Sequence, residues 1–308
     1  RNFKIAIWNA NGLAQRASEL KFFLKENNID IMLISETHFS QKSYLKIPNY
    51  NIYDTNHPNG KAHGGTAVIV KFTIRHFENS SCKLDFLQAA SITVEDSSGP
   101  ITFAAIYCPP KYTITQEHFN EFFDNLGQCF IAGGDYNVKH PWWGSRQTTP
   151  TPRGRQLYAA MQEKHLFPLS TGEPTYWPTD ICKTPDLIDF AILKGINQTY
   201  FTVSSCFDLS SHHSPVLISY EGEVKHKQKK NPIYSMKTDW NRYRDIVEYK
   251  LTCDIPLKTT NDLKNSIKTL TKIILDAVKE STPRVTTKAD APFIPKKKSL
   301  IKSKKREN

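Results

Sequence analysis

The stretch "CFIAGGDYNVKHPWWGS" (residues 129–145) changes character at one point: an apolar run ends in Gly133-Gly134, Asp135 follows, and a polar, aromatic segment takes over. A short apolar run bounded by a turn signal reads as a buried strand. Open α/β folds usually build their sites beyond the carboxyl ends of such strands, which is where Asp135 and Asn137 stand.

The same arrangement repeats outward from this segment. Asn9 and Asn11 follow "KIAIW" (4–8), Glu36 follows "IMLIS" (31–35) and Tyr107 ends "ITFAAIY" (101–107). Asp189 sits inside "LIDFAIL" (187–193), and His212 and His213 precede "SPVLISY" (214–220). "GTAVIVK" (65–71) and "AASITVE" (89–95) add two more strand-like runs. Helical patterns lie between some of these. "ASELKFFLKENN" (17–28) puts Leu20, Phe23 and Leu24 on one face, with Ser18 as N-cap; "TQEHFNEFFDNLG" (115–127) opens on a capping residue and stops at Gly127; "PRGRQLYAAMQEKH" (152–165) has Pro152 in its first turn. Strands and helices alternate irregularly, so the pattern predicts a layered α/β protein rather than a regular βαβ repeat.

The charge of the chain is unevenly spread. Residues 1–220 hold 19 Lys+Arg and 19 Asp+Glu, whereas residues 221–308 hold 22 and 11, so the whole net excess of +11 lies in the tail. Such a tail is either a solvated linker or a surface attracted to phosphates. "EGEVKHKQKKNP" (221–232) is linker-like, two amphipathic stretches follow at about 239–252 and 261–280, and a Pro- and Lys-rich end closes the sequence. Two parts are expected, residues 1–222 and a basic, partly helical segment 223–308. A chain that begins at Arg1 rather than Met reads as a segment of a larger protein. No apolar run approaches the roughly 20 residues a membrane span needs, and no signal pattern opens the chain, so an intracellular protein without a membrane partner is expected. The six cysteines lack metal-type spacing and read as reduced, mostly buried thiols.

Taken singly, the polar strand-end residues are weak signals. A Glu after a strand is more often a surface or capping residue, and an Asp after two glycines is more often part of a turn. Asp189 is harder to dismiss, because an acid flanked by Ile188 and Phe190 in a buried strand needs a partner, and a histidine would serve. Adjacent residues of an extended segment point to opposite faces, so His212 and His213 are not expected to share one job. Together these residues ask for a Mg2+-dependent phosphodiesterase. Glu36 and the amide oxygen of Asn11 offer hard oxygen ligands, and Asp135 can orient or deprotonate a water. Asn137, Tyr107 and a protonated histidine held by Asp189 can stabilise the developing charge.

The motifs "WNANGL" (8–13), "SETH" (35–38), "GGTAVIV" (64–70), "IYCPP" (106–110), "GGDYNVKHPWWGS" (133–145), "LIDF" (187–190) and "SSHHSPV" (210–216) resemble, in order, those of the exonuclease, endonuclease and phosphatase superfamily, which includes deoxyribonuclease I and apurinic/apyrimidinic endonucleases. The resemblance covers about residues 3–220 and is closer to the endonuclease domains of non-LTR retrotransposons, especially jockey-like elements. It implies a deoxyribonuclease I-like α/β fold: a four-layer α/β sandwich of two packed mixed β-sheets flanked by helices. It also implies a Mg2+-dependent nuclease, with Mn2+ as a further candidate, that nicks chromosomal double-stranded DNA in the nucleus. The 3′-hydroxyl left by the nick would prime reverse transcription of the element's RNA by a reverse transcriptase, and residues 223–308 resemble the connector toward that domain. By position, Asn9, Asn11 and Glu36 fall in the metal and phosphate cluster, Tyr107 matches a phosphate-contacting tyrosine, and Asp135 and Asn137 match the water-activating and transition-state pair. Asp189 matches the acid that orients the catalytic His213.

One position departs from the family, which usually has Asp where His212 stands. Exchanging a carboxylate for imidazole removes a negative charge and a hard ligand, so reduced but real activity, with His212 as a further candidate ligand, is expected. For DNA binding, Lys139, Arg146, Arg153 and Arg155 surround Trp142 and Trp143, and Tyr176 and Trp177 lie on a second loop. Cations would neutralise phosphates and aromatics would wedge against sugars or bases, with one of the two adjacent tryptophans buried. The alternatives are an apurinic/apyrimidinic repair endonuclease, a lipid phosphatase, which the cationic loops disfavour, or a DNA-binding module with weakened catalysis.

Overall fold

The computed structural model describes residues 2–180, 182–227, 234–251 and 257–283. The chain divides into two units, Arg1–Gln228 and Lys229–Asn308. Cys253 and the Pro- and Lys-rich end lie outside the described residues.

The first unit is built on two mixed sheets. One runs in the order β12 (Phe201–Ser205), β13 (Val216–Tyr220), β1 (Phe3–Asn9), β2 (Ile31–Ser35), β4 (Thr66–Lys71), β3 (Tyr50–Thr55). The other runs β10 (Phe167–Leu169), β11 (Asp189–Lys194), β9 (Phe130–Asp135), β8 (Gly99–Tyr107), β7 (Gln88–Asp96), β5 (His76–Glu78), with β6 (Cys82–Lys83) also paired to β7. Each sheet has one parallel pair, β1 with β2 and β8 with β9.

Strand alternation sorts the apolar side chains into slabs. Ile5 and Ile7 of β1 meet Leu33, Val68, Phe103 and Ile131 between the sheets. Their neighbours Ala6 and Trp8 face outward onto Leu20, Phe23 and Leu24 of α1 (Ala17–Glu26). On the far sheet Phe130 and Ala132 pack with Phe119 and Phe123 of α2 (Gln116–Asn125) and Leu157 and Met161 of α3 (Pro152–Glu163). The order helix, sheet, sheet, helix is the four-layer α/β sandwich that the sequence led us to expect.

Gly133 and Gly134 let the two sheets approach at the end of β9. A Cβ on Gly133 would stand 2.6 Å from Cδ1 of Ile7, and one on Gly134, at φ 153°, would stand 2.8 Å from Ser35 Oγ of the facing sheet and 2.0 Å from the carbonyl oxygen of Ile106 on the neighbouring strand. The residue that follows, Asp135, is thereby set against the ends of β1 and β2.

Helix ends follow local chemistry. Thr115 and His118 form a reciprocal capping box on α2, and the Thr151 hydroxyl accepts the Gly154 N–H at the start of α3. Ser18 does not cap α1: a 3-10 turn at Ala14–Arg16 runs straight into the helix, which puts Ser18 inside its first turn. β3, "YNIYDT", was not anticipated because it is a half-buried edge strand without clean alternation.

The first unit extends past the boundary expected near residue 222. The N–H groups of Arg75 and Lys227 donate to the carbonyls of Lys225 and Thr73, and that of Lys225 donates to Glu95. In the second unit, α4 (Trp240–Lys250) is capped by Asp239, and α5 (Thr260–Ser281) by a Thr259–Asp262 box. These are the two amphipathic stretches read from the sequence, joined by Asp239 N–H donating to the Ser281 carbonyl. Among the described residues Cys82, Cys108, Cys129, Cys182 and Cys206 are free thiols, and Cys182 is exposed. No helix among the described residues is long and apolar enough to cross a membrane.

Candidate active site

Six strand ends converge at one edge of the sandwich. From the first sheet come Asn9 at the end of β1, Glu36 just after β2 and His213 just before β13; from the second come Tyr107, Asp135 and Asp189. Strand register sets Asp135 between its partners Tyr107 on β8 and Asp189 on β11.

Asn9 joins the two halves. Its Nδ2 donates to Asp135 Oδ2 at 2.8 Å and to Glu36 Oε1 at 3.0 Å, and its Oδ1 accepts the Asn11 N–H at 2.9 Å. Asp135 also accepts the Asn137 N–H at 2.8 Å and its side-chain Nδ2 at 3.0 Å, while its own N–H donates to Ser35 Oγ. His213 Nδ1 lies 2.8 Å from Asp189 Oδ2, so the acid fixes the proton on Nδ1 and leaves Nε2 for substrate. Thr175 donates to the same Asp189 oxygen at 2.7 Å, and its Oγ1 accepts the N–H groups of Ile188 and Asp189. Asp189 Oδ1 is buried without a partner among the described residues.

The electrostatics follow from this packing. Burial pushes the Asp135 carboxyl up to about 8, reinforced by the charge of Asp189 and only partly opposed by His213. Burial works against a charged His213, yet the charge and hydrogen bond of Asp189 outweigh it and raise the imidazole to about 9. Burial would raise Glu36 too, but hydrogen bonds from His38, Asn9 and Tyr107 hold it below its ordinary value, so it is ionised. Tyr107 is pushed up by burial and by the charges of Glu36 and Asp135, and stays a neutral hydrogen-bond donor.

Four non-glycine residues here have left-handed backbone: Asn11 (φ 43°), Glu36 (φ 52°), His38 (φ 53°) and Asn137 (φ 50°). Such conformations are uncommon for residues with a Cβ, and they concentrate where side-chain placement matters. The donor chemistry suits a divalent cation. Glu36 presents an ionised, partly exposed carboxylate, a hard oxygen ligand of the kind such an ion takes. Asn11 has an exposed side chain next to Glu36, whose carbonyl accepts the Gly12 N–H. His212 is exposed, and its carbonyl accepts the Trp177 N–H.

The residues expected at DNA separate into two sets. Trp143 is fully buried, with its ring 5.1 Å from Phe190, so it is a core residue and not a DNA contact; Trp142 is the partly exposed member of the pair. Arg153 is also corrected. Its guanidinium donates to the carbonyls of Cys108, Pro109, Pro110, Tyr112 and Asn137, a strap that occupies the fork a phosphate would need. Lys139 pairs with Asp186 at 3.2 Å, while Arg146 and Arg155 are exposed. Lys139, Arg146 and Tyr176 line a cavity that also includes Lys111, Lys183 and Asn137. The Tyr176 ring lies 4.9 Å from that of His213, and Trp177, partly exposed, donates its Nε1 to Ser214.

Sequence reasoning missed four residues that shape the site: Ser35, His38, Thr175 and Ser211. His38 Nε2 lies 3.2 Å from Glu36 Oε2, and Ser211 Oγ accepts the His213 N–H and donates to the Asn9 carbonyl. His38 stands inside the motif "SETH" and Thr175 beside Tyr176 and Trp177 of the second aromatic loop, but nothing in their type or spacing marked them.

Residues 101–217 match the family model described as endonuclease-reverse transcriptase. The chain is 31% identical over 280 residues to an RNA-directed DNA polymerase from the mobile element jockey of Drosophila funebris, a match covering 91% of this chain and 30% of that protein. The chain thus spans about a third of the length of the curated relatives it matches. Among solved structures, the endonuclease domain of TRAS1, a telomere-specific non-LTR retrotransposon, superposes with a TM-score of 0.59 at 17% identity, covering 71% of this chain and 98% of that one. An AP endonuclease from Leishmania major also gives 0.59, at 14% identity, with coverage of 71% and 88%. Sequence kinship and a shared sandwich lead to one conclusion: this chain is related to the proteins of jockey-type mobile elements, matches the endonuclease-reverse transcriptase family over residues 101–217, and has an AP-endonuclease-like fold.

Proposed function

We propose that the first unit is a divalent-metal-dependent phosphodiesterase that nicks double-stranded DNA in the nucleus. The nick would leave a 3′-hydroxyl to prime reverse transcription of the element's RNA by a polymerase domain of the full-length protein, with residues 223–308 as the connector. One observation carries this reading: Asn9 ties Asp135 to Glu36 while Asp189 orients His213, so a base, a carboxylate ligand and a cationic donor share one locus.

Asp135 takes a proton from a water, or aligns it, as that oxygen forms a bond to phosphorus and the bond from phosphorus to the 3′-oxygen breaks, the leaving oxygen taking a proton from solvent to become the hydroxyl. A base whose carboxyl sits near neutrality suits that task. Asn137 Nδ2, the Tyr107 hydroxyl and His213 Nε2 are the donors available to the phosphate oxygens as charge builds on them. Mg2+ or Mn2+, held by Glu36 with Asn11 beside it, would supply neutralisation of the scissile phosphate. Arg146, Arg155, Lys139, Trp142, Tyr176 and Trp177 are the proposed contacts to the duplex, the cations supplying affinity and the aromatics shape readout.

Supercoiled plasmid incubated with Mg2+, Mn2+ or a chelator tests this directly. Open-circular product is expected with either metal and not with chelator, falling by at least roughly a hundredfold in Asp135→Ala. Equal nicking by the variant would sink the assignment, and strong dependence on an abasic duplex would move it toward repair.

A further inference from the structure

We propose that His38 is a second protein ligand of the cation held at Glu36, so that the site offers one carboxylate oxygen and one imidazole nitrogen to the same ion. The inference rests on the metal-dependent reading above and adds a residue to it.

Three observations support it. First, His38 Nε2 and Glu36 Oε2 are 3.2 Å apart. Two donors in neighbouring positions on one ion, each about 2.1 Å from it, stand about 3 Å apart, so an ion can replace the shared proton with little side-chain movement. Second, Glu36 and His38 both have left-handed backbone, φ 52° and 53°, while the intervening Thr37 and His38 itself donate their N–H groups to Gly65 and Gly64. The double turn brings both side chains to one place. Holding a non-glycine residue there is unfavourable, and a role for Glu36 alone does not require it at His38.

Third, the His38 ring makes one polar contact among the described residues, with Glu36. Both side chains are partly exposed, at 30% and 19%, which leaves a water-borne ion a path to them. Sequence reasoning had looked to His212 for an imidazole at the metal; the imidazole that lies against the Glu36 carboxylate is that of His38. An imidazole in the ligand set weakens the usual preference for Mg2+, an ion of oxygen ligands, relative to Mn2+.

The test uses Mn2+ added to the metal-free full chain, with affinity from the electron paramagnetic resonance signal of free ion and ligand identity from pulsed measurements of coupling to imidazole nitrogen. Coupling is expected in the wild type and in His213→Gln. It should vanish in His38→Gln, with binding roughly tenfold weaker or more. Should that variant unfold, His38→Asn tolerates the same backbone and repeats the measurement. Coupling that survives both His38 variants, or is absent from a wild type that binds Mn2+, overturns the inference while leaving the metal-dependent reading standing. No Mn2+ binding by the wild type overturns both.

Discussion

Asp189 and His213 join hands across the two sheets: an acid at the start of β11 and an imidazole just before β13 meet at 2.8 Å, Oδ2 to Nδ1. Because the proton on His213 is held up to about 9 by that acid, nicking that needs a donating imidazolium should have an alkaline limb near that pH. Asp189→Asn removes the charge that holds the proton, so the limb should move toward neutral pH by roughly one to three pH units. Initial nicking rates across pH for the two proteins decide it; an unmoved limb would assign the limb to another group.

The same protons bear on stability. His213 has a folded value above its ordinary 6.5, so its contribution is complete below 6.5 and is lost as pH rises through about 9. Asp135 is likewise raised, from 3.8 to about 8, and its contribution is lost as pH rises through that window. Urea midpoints are therefore expected to fall between pH 6 and pH 9.5, and to fall less in His213→Gln. A wild-type midpoint flat over this range would contradict the assignment.

Arg153 should behave as a strap and not as a phosphate contact. Arg153→Ala is expected to slow nicking tenfold or more, on the order of what small misplacements near a reacting centre cost, because the loop after Tyr107 and the carbonyl of Asn137 lose a common anchor. The dependence of DNA affinity on salt should stay the same, whereas Arg146→Ala should lower that slope by about one. A slope change in Arg153→Ala of the size seen in Arg146→Ala would return Arg153 to the DNA surface.

Position 212 can be tested without disturbing the core, because His212 is exposed. His212→Asp places a carboxylate beside His213 and should raise Mg2+-supported nicking, by about tenfold if the added charge helps to hold the ion. The gain with Mn2+ should be smaller. Indistinguishable rates would show that position 212 hardly matters.

The strands that carry the site were legible because buried strands announce themselves as apolar runs, and the residue that ends each run is polar. Asn9, Glu36, Tyr107 and Asp135 could be picked out this way, whereas Asp189 stood out as an acid inside an apolar run and His213 as an imidazole just before one. Ser35, Thr175 and Ser211 could not, since a hydroxyl that ties one backbone to another is indistinguishable in sequence from one on the surface. Arg153 and Lys139 were read as free cations because charge is visible in sequence and its partners are not. The fork of Arg153 finds backbone carbonyls supplied by the turn after β8, and Lys139 finds Asp186, far along the chain. Trp143 was half legible: one member of an adjacent pair had to be buried, but only the packing on Phe190 says which.

The close approach at Gly133 and Gly134 ties the completion of the site to the packing of the two sheets. Asn9, Glu36 and His213 belong to one sheet, and Asp135, Asp189 and Tyr107 to the other. Neither sheet alone holds the complete set, so the proposed chemistry depends on both being formed and packed together. On the proposed function, cutting would need the two inner faces to close on each other, because the same closure that excludes water from them brings the two halves of the site together.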